Sequence, residues 1–228
     1  MIRKNSPRND ELTIVKLLPL KLALMSALRE LEITLMPIKL LVAATGELNE
    51  ILVIPKEIAF NGKERPVLLN EELKQDIETY LKVLMVHGVA RMPHGAYMGF
   101  DPNAALIVNS DLKPYSVQSR GQLTSRARIV PDELNKHLDS LICNAGLDRK
   151  GITRKSLIRT FVIQAIRAKW SLDDIALIAG MSKTNVSNIA VMDLDQHSPI
   201  RDYFNNRERR KEQKIKRLEQ IRRWTFLD

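Results

Sequence analysis

The chain is poor in the residues that build disulfide frameworks and metal sites. It has a single cysteine among 228 residues, Cys143, so an intramolecular disulfide is excluded and a reducing, cytoplasmic setting is expected. The four histidines, at positions 87, 94, 137 and 197, do not have the spacing of metal ligands. We therefore expect neither a metal nor another cofactor.

The sequence also lacks a long uncharged apolar run. Its most apolar stretch, residues 12–46, is interrupted by six charged side chains: Lys16, Lys21, Arg29, Glu30, Glu32 and Lys39. That density of charge is too high for a bilayer-spanning helix or for the core of a signal peptide. We expect the chain to have no membrane partner.

Positive charge is what the sequence has in excess. Lys and Arg number 36 against 27 Asp and Glu, which gives a formal net charge of +9 and a pI of about 9.7. Such a surplus favours a polyanionic partner, nucleic acid first and an anionic membrane surface second.

The last segment of the chain, residues 201–228, is predicted to be a basic helix or tail. Residues 207–223 contain nine Lys or Arg and three Glu, and apolar residues recur every three positions. We interpret this stripe as a surface for a partner protein or a second copy of the chain; a solvated charged helix is the alternative. The stripe consists of Ile215, Leu218, Ile221 and Trp224.

Residues 150–191 predict three consecutive helices joined by tight turns. The first occupies about 152–170; Ser171 is placed to cap the second, Gly180 to end it, and Ser182 to cap the third. Short helices around a glycine turn are typical of a DNA-binding helix-turn-helix, with an ordinary helical hairpin as the alternative. The exposed candidates for DNA contact are Lys183, Thr184 and Asn185.

The N-terminal half predicts a mixed structure, so the fold class is α+β, mainly α. Residues 1–11 are expected to be disordered, and two helices, 12–18 and 20–35, should be separated at Pro19. Short apolar runs at 40–44, 51–55 and 56–60 and a returning run at 65–69 predict a small three-stranded antiparallel sheet, with a hairpin turn at Asn61 and Gly62. Residues 12–200 should form one DNA-binding domain.

Several segments, in this order, resemble the catalytic domain of tyrosine recombinases, the phage integrase family. SALRELEITL at 26–35 resembles the family segment G-L-R-x-x-E-x-x-x-L, and NGKERPVLLNEEL at 61–73 resembles its lysine hairpin. SLIRTFVIQAI at 156–166 resembles the box H-x-L-R-H-T-F-A, and IAGMSKTNVSNIA at 178–190 resembles L-G-H-x-x-x-x-T-x-x-Y. The resemblance implies that Arg29 is the first catalytic arginine.

The reactive positions of that family are replaced in this chain. The resemblance puts Lys155 at the histidine and Ile158 at the second arginine, with Arg159 one place later. It puts Met181 at the position of a histidine or tryptophan in the last box and Ala190 at the nucleophilic tyrosine. The lysine position falls near Phe60, with Lys63 and Arg65 as substitutes. Alanine has no oxygen that could attack a phosphate, so the resemblance implies a fold that has lost strand cleavage.

The sequence therefore predicts a protein that binds double-stranded DNA as an accessory, regulatory or architectural factor of recombination or of a mobile element, located at the nucleoid. Two alternatives stay open: an active recombinase with Tyr203 as a displaced nucleophile, and a helix-turn-helix transcription regulator. Weak catalytic candidates are Arg29, Arg159 and Tyr203. The predicted phosphate-binding residues are Arg29, Lys63, Arg65, Lys155 and Arg159, since phosphate contacts give affinity with little sequence information.

Overall fold

The structure is a computed structural model, and it describes residues 10–49, 51–93, 95–120, 128–193 and 212–216. Most of residues 1–11 and 201–228 lie outside these ranges, as do Tyr203, Leu218, Ile221 and Trp224. Helices dominate the described chain, with 3-10 segments at Ala96–Gly99 and Asp148–Lys150 and a helical stretch at 212–216. The α-helices are α1 (Asp10–Ser26), α2 (Glu30–Leu35), α3 (Ile38–Leu41), α4 (Glu71–Val86), α5 (Asp132–Asn144), α6 (Arg154–Arg167), α7 (Leu172–Ile178) and α8 (Lys183–Ala190).

The strands of the described residues form two small antiparallel pairs. Strand β1 (Ile51–Ile54) pairs with β2 (Arg65–Leu68) in the register Ile51 to Leu68, and β3 (Gln118–Arg120) pairs with β4 (Arg128–Val130). The mainly helical fold with a small antiparallel sheet is thus confirmed.

The prediction of a third strand in that sheet is wrong: in the described residues, β1 pairs with β2 alone. Residues 40–44 contribute instead to α3, which Pro37 precedes, and to a single bridge between Val42 and Leu48. Residues 56–60 turn back on themselves, because the Pro55 carbonyl accepts hydrogen bonds from the backbone N–H groups of Ile58 and Ala59. Short apolar runs have the same composition whether they form strands or buried turns, so local sequence did not separate the two.

The predicted break at Pro19 is also wrong, because α1 passes through this proline. An internal proline removes one helical hydrogen bond and strains the preceding turn. The burial of Val15, Leu18 and Leu22, each at most 1% exposed, offsets that cost. The chain instead leaves the helical conformation at Ala27, whose φ is +53°.

The three helices predicted within residues 150–191 are confirmed. Ser171 and Ser182 cap α7 and α8 by accepting hydrogen bonds from the backbone N–H groups of Asp174 and Asn185, at 3.1 and 3.2 Å. Each such cap stabilises its helix by about 1 kcal/mol.

The apolar side chains form two cores that meet at the loop after α1. The larger core joins α1, α3, the β1–β2 pair and α4. The smaller core joins α6, α7 and α8, and Ala27 is buried in it although this residue directly follows α1. The loop that carries Leu28 and Arg29 is thereby fixed at the boundary between the two cores.

In the described part of the chain no helix is long and apolar enough to cross a bilayer. Within the same ranges, no group of three His, Cys, Asp or Glu side chains is arranged so that it could hold a metal ion.

Candidate nucleic-acid interface

A groove of about 950 Å³ lies at the boundary of the two cores and gathers most of the predicted site residues. The loop after α1, the connection between β1 and β2, and helices α6, α7 and α8 all contribute to it. Thr184 is exposed but does not line the groove. The predicted residues that line it are Arg29, Lys63, Arg65, Lys155, Arg159, Lys183 and Asn185.

Helix α6 supplies two cations from one face. Lys155 and Arg159 are four residues apart, so their side chains project from the same side of the helix, and both are exposed. Ile158, which occupies the second-arginine position in the family resemblance, is 6% exposed and packs in the smaller core. The arginine next to this position in the sequence is Arg159, and its side chain lines the groove.

Arg65 forms the floor of the groove. The side chains of Arg65 and Glu32 are 3% and 0% exposed, and they form a two-pronged ion pair in which Arg65 Nε donates to Glu32 Oε1 at 3.2 Å and Nη2 donates to Oε2. Arg65 also donates to the backbone carbonyls of Ile178 and of Ala27, the latter at 3.1 Å. These bonds occupy its donors, so Arg65 braces the groove where the sequence predicted a phosphate contact.

Gly180 allows Arg65 to reach the end of α7. Its φ is +60°, a conformation that favours glycine, and a Cβ at this position would lie 3.0 Å from Arg65 Cδ. The glycine that the sequence placed as a helix terminator therefore has a second role, which is the close approach of the arginine.

Glu32 connects the segments that surround the groove. Its Oε1 accepts from the backbone N–H of Phe60 at 3.1 Å, and its Oε2 accepts from the backbone N–H of Arg29 at 2.8 Å. Together with Arg65, this carboxylate fixes the start of α2, the β1–β2 connection and strand β2 relative to one another.

Arg29 is a half-buried cation of the groove with one unsatisfied donor. Its Nη2 donates to the Ala179 carbonyl at 3.3 Å, and its guanidinium carbon lies 5.1 Å from the centre of the Phe60 ring. Its Nε is buried without a hydrogen-bond partner in the described structure. Burial lowers the pKa of Arg29; the Glu32 carboxylate opposes this shift and the charge of Arg65 adds to it. An anion bound here would compensate the charge and use free donor capacity.

The charge of the groove is strongly one-sided. Its lining contains six basic side chains and two acidic ones, Glu64 and Asp173. Asp173 forms an exposed ion pair with Lys183, and such pairs contribute little to stability. A groove with this surplus concentrates polyanions near its surface.

In the described structure no tyrosine lines the groove. Ala190, at the family's nucleophile position, is the last residue of α8. Tyr80 is fully buried; its hydroxyl donates to the Leu106 carbonyl at 2.7 Å and accepts from the Val108 N–H at 3.0 Å. Burial raises the pKa values of both Tyr80 and Tyr115. Neither hydroxyl is suited to attack a phosphate.

The structure adds groove residues that sequence reasoning missed. Asn188 lies one helical turn after Asn185, so the helical period alone could have predicted it. The other added residues come from loops and helix ends, where no local pattern predicts which side chains face the groove. They are Phe60, Asn61, Leu177 and Met192.

The sequence matches no protein-family model and no curated protein. Among solved structures, the chain is similar to the XerA recombinase, with a TM-score of 0.53 and 14% identity over 89% of this chain. It is also similar to the Tn1549 transposon integrase in complex with transposon right end DNA, with a TM-score of 0.47 and 15% identity, covering 78% of this chain and 53% of that one. The match covers 64% of the XerA chain, which is less than two thirds of its length. The chain thus has a tyrosine-recombinase-like fold.

Proposed function

We propose that this protein binds double-stranded DNA through the basic groove and serves DNA recombination or a mobile element as an accessory, regulatory or architectural factor at the nucleoid. The observation that carries the proposal is the convergence of Arg29 and Arg159, which are 130 positions apart in the sequence, on one groove with Lys155. The fold similarity to the XerA recombinase and the net charge of +9 support the same partner.

In this proposal the cations of the groove have two different tasks. Arg29, Lys155 and Arg159 contact backbone phosphates, as do Lys63 and Lys183 at the rim. Thr184 and Asn185, at the exposed start of α8, contact the DNA backbone or a groove edge. Arg65 does not contact DNA, because its donors are held by Glu32 and two carbonyls; it keeps Arg29 and the α7–α8 turn in place.

The salt dependence of binding tests the proposal. Each phosphate contact releases counterions, so the logarithm of the association constant should fall linearly with the logarithm of salt concentration, with a slope of about −0.9 per contact. Five contacts predict a slope between about −4 and −5 in fluorescence anisotropy titrations of a labelled duplex. An affinity that salt does not change, or the absence of binding at low salt, would refute DNA binding by this groove.

We further propose that the protein does not cleave DNA. Cleavage in the resembling family needs a tyrosine oxygen, and Ala190 offers none at that position. Incubation with a nicked suicide substrate should give no covalent protein–DNA adduct on a denaturing gel. An adduct that forms in the wild type and is lost in Tyr203→Phe would establish the displaced-nucleophile alternative.

A second proposal concerns the C-terminal helix, which we assign to a protein partner or a second copy of the chain. Ile215 belongs to the helical stretch 212–216 and is 56% exposed, so one member of the predicted stripe is open to a partner. Leu218, Ile221 and Trp224 extend that stripe by sequence. Light scattering on the full chain and on a chain that lacks residues 206–228 tests this role. If both the full chain and the truncated chain have the molar mass of a monomer, the stripe does not mediate self-association.

A further inference from the structure

We propose that the basic groove prefers DNA with an unpaired nucleotide, and that the exposed ring of Phe60 is the surface on which that base stacks. The inference rests on the proposed DNA-binding function and adds to it the kind of DNA that is bound. In this proposal Phe60 determines which kind of DNA is preferred, and the basic side chains of the groove supply the affinity.

Phe60 is an exposed aromatic side chain on an anchored backbone. It is 56% exposed and lines the groove, whereas the preceding Ala59 is 8% exposed and belongs to the larger core. The backbone N–H of Phe60 donates to Glu32 at 3.1 Å, and the Gly62 N–H donates to the Ala59 carbonyl at 3.0 Å. Three exposed apolar side chains, those of Phe60, Leu177 and Met192, line this one groove, and exposed apolar surface gathered at one site indicates a contact with a partner.

The position of the ring relative to Arg29 indicates the chemistry of that partner. The Arg29 guanidinium covers part of one ring face at a distance of 5.1 Å and leaves more than half of the side chain open. A cation and an exposed aromatic ring side by side can hold a phosphate and a base from neighbouring nucleotides. This combination is the pattern of surfaces that bind single-stranded nucleic acid.

Base pairing determines which DNA can place a base against the Phe60 ring. In an intact duplex, each base is covered on both faces by its neighbours, so a base must leave the stack before it can contact Phe60. Such departure is least costly where the nucleotide is already unpaired. Leu177, 53% exposed on the same groove, adds apolar surface that a phosphate-only interface would not need.

The test compares an intact duplex, a duplex with a two-nucleotide gap at its centre, and a single strand, all fluorescently labelled and titrated at one salt concentration. The wild-type protein should bind the gapped duplex and the single strand about tenfold more tightly than the intact duplex, the size of effect that stacking of one base gives. Phe60→Ala should abolish this preference, so that its affinities for the three DNAs lie within about twofold of one another. Phe60→Tyr should retain the preference, because tyrosine also has an aromatic face.

Ile51→Ala is the matched control, since Ile51 is 57% exposed but lies away from the basic groove. It should leave all three affinities unchanged. A fluorescent base analogue such as 2-aminopurine, placed at the gap, should be quenched on binding by the wild type and not by Phe60→Ala. Because Phe60 is exposed, its removal should leave the urea midpoint nearly unchanged.

The outcomes separate the two proposals. Salt-dependent binding with equal affinity for all three DNAs, or with a preference that survives in Phe60→Ala, would overturn the stacking role and leave the proposed function standing. Loss of affinity for all three DNAs in equal measure in Phe60→Ala would also overturn it. Absence of binding to every DNA by the wild type would overturn both.

Discussion

Two grooves of similar volume differ in the chemistry that they offer. The basic groove, of about 950 Å³, has six basic and two acidic side chains in its lining. A second groove of about 860 Å³, which we call the apolar groove, is lined mainly by Leu24, Met25, Ile51, Leu68, Phe161 and Trp170, and its only lining charges in the described chain are Glu71 and Lys74. Helix α6 contributes to both.

The two grooves differ in the convergence of charge and hardly in volume, and for this reason we propose the basic groove as the DNA-binding surface. The cations of the basic groove come from four separate parts of the chain, and a buried ion pair connects two of them, the loop that carries Arg29 and the β1–β2 connection. Among the described residues, no buried ion pair lines the apolar groove. Its one specific contact between aromatic rings is the edge-to-face pair of Phe161 and Trp170, with centroids 6.2 Å apart.

The largest effect should follow from removing the brace of the basic groove. Arg65→Met leaves the Glu32 carboxylate buried without its partner, which should lower the free energy of unfolding by about 3–5 kcal/mol in urea titrations. Lys63→Met, an exposed site two residues earlier, should change it by less than about 0.5 kcal/mol. A loss below 1 kcal/mol in Arg65→Met would contradict the bracing role.

A smaller effect should follow from removing the unsatisfied cation. Arg29→Gln should weaken binding of a labelled duplex by about thirtyfold, which corresponds to about 2 kcal/mol for a charged hydrogen bond. Arg149→Gln, at an exposed arginine away from both grooves, is the matched control and should bind as the wild type does. Equal affinities of the two variants would remove Arg29 from the interface.

The smallest effect should come from the apolar groove. Trp170→Ala breaks the ring pair with Phe161 and should lower stability by about 1 kcal/mol. Its DNA affinity should stay within twofold of the wild type, because Trp170 lines only the apolar groove. A tenfold loss of DNA affinity in this variant would show that the division between the grooves is wrong.

Sequence reasoning succeeded where the signals are local. The caps at Ser171 and Ser182 and the helix that follows Asn70 were predictable, because a capping side chain acts within three residues of its own position. It failed at Pro19 because burial of the helix, which is a tertiary effect, outweighs the local cost of proline.

The composition of the site was more predictable than its geometry. Motif order and charge indicated Arg29, Lys155 and Arg159, and all three line the groove. The pairing of Arg65 with Glu32 spans 33 positions and depends on the approach of strand β2 to α2, which no local pattern encodes. For this reason Arg65 could not be separated beforehand from the cations that face solvent.

The most direct test of the central claim uses two double variants that remove the same charge from different surfaces. Lys155→Gln with Arg159→Gln alters the basic groove, and Lys82→Gln with Arg149→Gln alters exposed sites outside both grooves. The slope of the logarithm of duplex affinity against the logarithm of salt concentration should become shallower by about 2 in the first variant and stay unchanged in the second. The same slope in both variants would show that net charge, and not this groove, binds the DNA.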